Sequence, residues 1–262
     1  MMKAELSDAV LPQVKAVVKL VHEIFKTDLQ AVYLYGSAVM QGLRPYSDID
    51  LLLVTKRKLT GFDRTCLTQQ LLQISGSVGD NSKRPLEVTV VCSSDLTQLL
   101  MPIRFEYMYG EWLREEMESG EMPQAFCDAD NAVLLWQARR HSIALYGEPA
   151  AGVLPEVPFA QIQKAIFESL PTLLGGLNGD ERNVLLTLTR MWYTLELKDI
   201  CAKDAAAEWA KAKLPVHQAA MLELARQDYL NGTNALNNIP LADINGLAEL
   251  LAVKIKQFEV EI

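Results

Sequence analysis

The sequence predicts an α/β (α+β) domain with a mixed sheet over residues 1–155, followed by an all-α helical bundle over residues 156–262. Three observations predict it. Apolar stretches before Gly36 and after Asp48 read as two buried strands joined by a tight turn. A third apolar, β-branched stretch, Leu86–Cys92, reads as a further strand. Beyond the Gly-, Pro- and Ala-bearing stretch Tyr146–Pro158, every periodic segment has helical spacing.

Taken in order, Val10, Leu11, Val14, Val17, Val18, Val21, Ile24 and Phe25 fall on one helical stripe, with Ser7 or Asp8 as its cap. Ala31, Val32 and Leu34 mark the first strand, and Ile49, Leu51, Leu52, Leu53 and Val54 the second. Leu59–Ile74 reads as a helix, Ser75–Arg84 as a loop, and Leu86–Cys92 as the only later buried strand. Asp130–Ala144 places Val133, Leu134, Trp136 and Ile143 on a helical stripe. Further helices are expected near 158–174, 180–198, 203–213, 216–230 and 241–260, with Pro215 and Pro240 at helix starts.

At 262 residues, half of them hydrophobic, the chain is long enough to bury two modest cores. Its formal charge of −8 and scattered Lys and Arg argue against a nucleic-acid partner, which needs a basic track for phosphates. An acidic surface instead suits a cationic or neutral small molecule. Cys66, Cys92, Cys127 and Cys201 are widely spaced and read as reduced thiols; His22, His141 and His217 form no ligand-spaced cluster. The N-terminus lacks an apolar signal core, and no apolar run is long enough to span a bilayer. The expectation is a cytoplasmic monomer with no membrane partner.

Chemistry concentrates at Leu34-Tyr35-Gly36-Ser37 and, about ten residues later, Ser47-Asp48-Ile49-Asp50-Leu51. Gly36 lets the backbone turn tightly and approach a phosphate, while backbone N–H groups and the Ser37 hydroxyl donate to phosphate oxygens. Residues two apart on a strand share a face, so Asp48 and Asp50 on one strand would point the same way. Paired carboxylates suit a hard divalent cation, and Mg²⁺ takes its remaining ligands from water and substrate phosphates. Glu87, near the start of the third strand, supplies a third carboxylate. With two metal ions one activates an attacking hydroxyl and the other steadies pyrophosphate, and Glu87 can accept the hydroxyl proton as general base.

This pattern resembles the signature of polymerase-β-like nucleotidyltransferases. With Tyr109-Gly110-Glu111-Trp112-Leu113-Arg114-Glu115, Gly179-Asp180-Glu181-Arg182, Met191-Trp192-Tyr193-Thr194-Leu195 and Lys203-Asp204-Ala205-Ala206-Ala207-Glu208-Trp209, the chain resembles the aminoglycoside (3'')(9) adenylyltransferases over nearly its whole length. The resemblance implies two Mg²⁺ ions on Asp48, Asp50 and Glu87, with Glu87 as catalytic base. It implies ATP as co-substrate, contacted by Gly36, Ser37, Ser47, Asp130, Arg190, Lys203 and Tyr229 between the two domains. It implies an aminoglycoside-type antibiotic as acceptor, flanked by Trp112 and paired with Asp180 near Asn183. The implied reaction is transfer of AMP to the 9-hydroxyl of spectinomycin or the 3''-hydroxyl of streptomycin.

Two departures bear on the acceptor. Streptomycin-modifying members tend to carry an Asp where this chain has Gly176, with the neutral Asn178 nearby, and often a His where it has Asn183. Losing one acceptor for a guanidinium costs on the order of 1.5–3 kcal/mol, roughly ten- to a hundredfold in binding. Spectinomycin, smaller and without guanidinium groups, is the firmer expectation. The competing readings are an adenylyltransferase acting on a protein or another small molecule, and an idle nucleotide sensor. Intact carboxylates at 48, 50 and 87 weigh against the second.

Overall fold

The structure is a computed structural model that describes residues 11–40, 42–77, 82–98 and 101–259. It divides into two compact units, Met1–Val157 and Pro158–Ile262. The expected caps Ser7 and Asp8, the first stripe residue Val10, and loop residues 78–81 lie outside the described residues.

The first unit is built on a five-stranded sheet. Helix α1 (Leu11–Phe25) buries Val14, Val17, Val21 and Phe25 on one stripe. Strand β1 (Leu29–Tyr35) leads through the turn at Gly36 into the short helix α2 (Ser37–Met40). Strand β2 (Ile49–Thr55) follows, then α3 (Gly61–Ile74) and β3 (Leu86–Cys92). After α4 (Ser93–Gln98) come the short strands β4 (Arg104–Phe105) and β5 (Tyr107–Tyr109), a single turn of tighter helix at Glu111–Leu113, and α5 (Arg114–Glu118). Strand β6 (Phe126–Cys127), α6 (Asp130–Arg140), β7 (Ile143–Tyr146) and α7 (Ala150–Val153) complete the unit. The main sheet runs in the order β5-β3-β2-β1-β7, while β4 and β6 pair separately. It is mixed: β2 and β3 are parallel, and every other pair in it is antiparallel.

All but one residue of each central strand is buried, because helices cover the sheet and leave the middle strands apolar on both faces. The exceptions in β2 and β3 are Asp50 and Glu87. Helix α3 starts at a reciprocal cap, in which the Thr60 hydroxyl accepts from the Asp63 N–H and the Asp63 carboxylate accepts from the Thr60 N–H. Arg57 donates to both Asp63 oxygens, at 2.6 and 3.1 Å.

Three expectations need correction. Leu86–Cys92 is not the last strand of the sheet, since β5 and β7 also join it. Helix α6 stops at Arg140, and Ile143, expected on its stripe, begins β7 and pairs with Leu34. At four residues and only half-buried, this edge strand carries too little alternation to be told from a helical turn. Asp48 stands one residue before β2 rather than on it.

The second unit is helical: α8 (Phe159–Gly175), α9 (Glu181–Leu197), α10 (Lys203–Lys211), α11 (Val216–Asn231) and α12 (Leu241–Lys256), with one further turn at Ala235–Asn238. Helix α9 packs against the other four. Its buried stripe is Leu185, Leu188, Trp192 and Leu195, and the helices packed on it bury Ala206 and Ala210 of α10, Leu222 and Ala225 of α11, and Leu247 and Leu251 of α12. Pro215 and Pro240 immediately precede α11 and α12, where a missing N–H costs nothing.

Candidate active site

Register fixes the heart of the site. Tyr35 pairs with Asp50 across β1 and β2, and Asp50 pairs with Glu87 across β2 and β3. Residues opposite one another in a sheet share a face, so Tyr35, Asp50 and Glu87 form a row across three adjacent strands. The Tyr35 hydroxyl donates to Glu87 Oε1 at 3.2 Å. Burial, with Glu87 and Asp50 beside it, holds the Tyr35 phenol well above its ordinary pKa, so it stays a protonated donor.

Gly36 closes this row at the end of β1. Its φ of +67° lies in the left-handed region, and a Cβ there would stand 1.8 Å from Asp50 Oδ2. Any side chain at 36 would therefore displace the carboxylate. Ser37, half-buried, opens α2 directly after the turn.

The loop carrying Ser47 and Asp48 is held by residues that sequence reasoning missed. The buried Ser47 hydroxyl accepts from the Arg44 N–H at 2.9 Å, which leaves its own proton to donate. Arg84 Nη1 donates to the carbonyls of Arg44 at 2.7 Å and Ser47 at 3.1 Å. Gln13 of α1 grips Arg84 in turn, accepting from its N–H at 2.9 Å and donating to its carbonyl at 3.0 Å. Such partners lie up to 71 residues apart in the chain, so no local pattern announces them.

Asp48, Asp50 and Glu87 offer only carboxylate oxygens, the donor type that hard cations such as Mg²⁺ take. Two of the three are register partners, and Asp48 stands two residues ahead of Asp50. Among the described residues no three Asp, Glu, His or Cys side chains converge as a ready metal cluster.

Trp112 is 57% exposed, so it is no core residue. It sits in the Glu111–Leu113 turn, with its indole lying against Gly110. Beside it, Glu111 accepts from Arg114 Nε at 2.7 Å, Arg114 Nη2 at 3.0 Å, the Tyr109 hydroxyl at 2.8 Å and the Ser75 hydroxyl. Burial pushes the Glu111 carboxyl up, but these donors outweigh it and hold its pKa below the ordinary value. Asp130 is the exposed first residue of α6, and its N–H donates to the Asp128 carboxylate at 2.8 Å.

In the helical unit, Asp180 occupies the position before α9 without capping it through its side chain. Its carboxylate instead accepts from Asn183 Nδ2 at 2.7 Å, on an exposed surface. Gly176 and Asn178 are exposed in the turn between α8 and α9. Arg190 of α9, Lys203 of α10 and Tyr229 of α11 are each half-buried on three mutually packed helices. Burial pushes the Cys201 thiol up to about 11, with Arg190 opposing, so the Arg190 charge acts two residues from Lys203. Asp228, next to Tyr229, was not anticipated: it is buried and accepts from the N–H groups of Ala235 at 2.8 Å and Leu236 at 2.7 Å.

Comparison with known proteins finds matches in two stretches of the chain. Residues 19–101 match the polymerase beta nucleotidyltransferase family, and residues 152–253 match the C-terminal domain of aminoglycoside adenylyltransferases. A spectinomycin 9-adenylyltransferase from Campylobacter jejuni is 52% identical over 218 residues, 83% of this chain and 84% of that protein. The chain belongs to the aminoglycoside adenylyltransferase family. An aminoglycoside (3'')(9) adenylyltransferase from Klebsiella pneumoniae is 40% identical over 86% of this chain and 87% of its own length. The crystal structure of a spectinomycin adenyltransferase from Enterococcus faecalis, solved with ATP and spectinomycin, superposes with a TM-score of 0.88 at 31% identity. It covers 94% of this chain and 99% of that one. This adenylyltransferase family fold thus accounts for both units, and no described helix is long and apolar enough to cross a membrane.

Proposed function

We propose that this adenylyltransferase transfers AMP from ATP to the 9-hydroxyl of spectinomycin and, more weakly, to the 3''-hydroxyl of streptomycin. The observation that carries the reading is the Asp50–Glu87 register pair beside Gly36, in a chain 52% identical to a spectinomycin 9-adenylyltransferase. Asp48, Asp50 and Glu87 would hold Mg²⁺, two ions in the full site. When bound, the metal neutralises triphosphate charge and acidifies the acceptor hydroxyl.

The chain's own residues supply the rest. Glu87, oriented by Tyr35, takes the acceptor hydroxyl proton. The resulting oxygen attacks the α-phosphorus, the bond from that phosphorus to the β-bridging oxygen breaks, and pyrophosphate leaves with the electron pair. Ser37 and Ser47 donate to phosphate oxygens, and Gly36 keeps the backbone clear of them. Arg190 and Lys203 bring positive charge to the triphosphate, while Tyr229 and Asp130 contact the nucleotide. Trp112 offers an exposed ring for the acceptor, and the Asp180 carboxylate, steadied by Asn183, accepts from its ammonium groups. The neutral Gly176 supports the ranking of spectinomycin over streptomycin. The net charge of −8 supports a small cationic acceptor in place of nucleic acid, and the enzyme is proposed to work as a cytoplasmic monomer.

Pyrophosphate release with Mg-ATP and each drug tests this directly. Turnover with spectinomycin exceeding that with streptomycin, and lost in Glu87→Gln, is the expected result. No release with either drug would sink the antibiotic assignment.

A further inference from the structure

The turn that carries Trp112 and the strand that carries Glu87 hang on one buried carboxylate. One residue past the Val88–Tyr109 pair stand Glu87 on β3 and Gly110, which directly follows β5, so the Trp112 turn leaves the sheet beside Glu87. The turn opens at Gly110, whose carbonyl accepts from the Leu113 N–H at 3.0 Å. A Cβ at Gly110 would lie 2.4–2.5 Å from three indole carbons of Trp112, so the absence of a side chain there seats the ring. The Glu111 side chain, only 8% exposed, gathers the donors of Arg114, Tyr109 and Ser75. The Ser75 hydroxyl that donates to Glu111 also accepts from the N–H of Leu86, the residue before Glu87, at 3.0 Å. A continuous path therefore runs from the turn under Trp112, through Glu111 and Ser75, to the start of the β3 strand.

We propose that Glu111 is a positioning residue which, with Gly110 as the seat of the indole, holds the acceptor-flanking Trp112 and the base Glu87 in one frame. The inference rests on the drug-modifying reading above. A ring that orients the acceptor is useful only if the hydroxyl it presents meets the base, and reacting groups displaced by about 1 Å lose about a hundredfold in rate. A charged carboxylate in a fork of guanidinium and hydroxyl donors is a rigid way to fix that distance.

The test compares wild type, Gly110→Ala and Glu111→Gln in steady-state kinetics with Mg-ATP and spectinomycin, alongside calorimetric ATP binding and melting temperature. Gly110→Ala is expected to raise the spectinomycin KM about tenfold while ATP affinity and melting temperature hold. Glu111→Gln is expected to raise that KM and lower kcat together, again with ATP affinity kept. If Glu111→Gln fails to fold, Gly110→Ala, which leaves the ion pair intact, carries the test. Wild-type spectinomycin KM and kcat in folded variants of both kinds would overturn the proposal, whatever happens to melting temperature. If wild type itself released no pyrophosphate with spectinomycin, the functional reading would have failed. Acrylamide quenching of Trp112, taken as the difference from Trp112→Phe, would then decide the seat: equal quenching in wild type and Gly110→Ala overturns it, and altered quenching supports it.

Discussion

The two units present their chemistry in different ways. In the first, Tyr35, Asp50 and Glu87 are aligned by strand register, so backbone hydrogen bonds alone set their order. In the second, Arg190, Lys203 and Tyr229 come from three separate helices that pack against one another. The sheet tolerates little: a slip of one residue would turn Asp50 into the core. The helices tolerate more, because a long side chain reaches around small shifts in packing. The difference teaches that a row of carboxylates can be written locally by strand register while cations on separate helices are not.

That contrast can be broken from the sheet side with the largest effect. Glu87→Gln is expected to cut turnover on the order of a thousandfold with ATP affinity and melting temperature little changed; single-turnover kinetics would show whether the loss lies in chemistry. Gly36→Ala should follow, at about a hundredfold in turnover, because its Cβ would collide with Asp50 and its φ is left-handed. Calorimetry with Mg-ATP should show affinity falling in parallel, and an unchanged enzyme would mean that the row is not built as described.

The helical side should respond in binding rather than in chemistry. Lys203→Ala is expected to raise the ATP KM roughly ten- to a hundredfold with a smaller change in kcat; a pure kcat effect would contradict a role in holding the triphosphate. Gly176→Asp sharpens the comparison further. The site is exposed with ordinary φ, and a Cβ there meets nothing nearer than 3.6 Å, so the carboxylate is tolerated. The streptomycin KM should fall about tenfold while that of spectinomycin stays put.

The smallest expected effect is on acid stability. Burial pushes the Asp63 carboxyl up, but Arg57 and Thr60 outweigh it and bring it to about 2, below its unfolded value of 3.8. The stabilisation is therefore full above pH 3.8 and is lost as pH falls through 2, an amount of about 2 kcal/mol. Asp63→Asn should lower the melting temperature by about 4–8 °C at neutral pH and flatten that acid limb, leaving turnover unaltered.

Legibility in the sequence followed the range of the interactions. Strands β1 to β3 are runs of seven residues almost wholly buried, so composition alone marks them. The helices of the second unit repeat apolar residues at 3.6 spacing, and their expected ends lie within a few residues of those found. Strands β5 and β7 were missed because Tyr-Met-Tyr and Ile-Ala-Leu-Tyr are too short to display a period. At the site, Gly36, Asp48, Asp50 and Glu87 announce themselves by spacing, whereas Arg190, Lys203 and Trp112 needed a family resemblance. Tyr35, Arg84, Gln13, Ser75 and Glu111 were silent, since each works through a partner that only the fold supplies.

The Arg84 clamp has a consequence for how this gene would tolerate change. The segment bearing Ser47 and Asp48 has no regular structure of its own, and one guanidinium collects three of its carbonyls while Gln13 fixes that arginine from both sides. In a selection on antibiotic plates, substitutions at Gln13 and Arg84 should be purged almost as strictly as those at the carboxylates. A survey of surviving variants would thus trace the scaffold of the Ser47–Asp48 segment through two positions outside the proposed site.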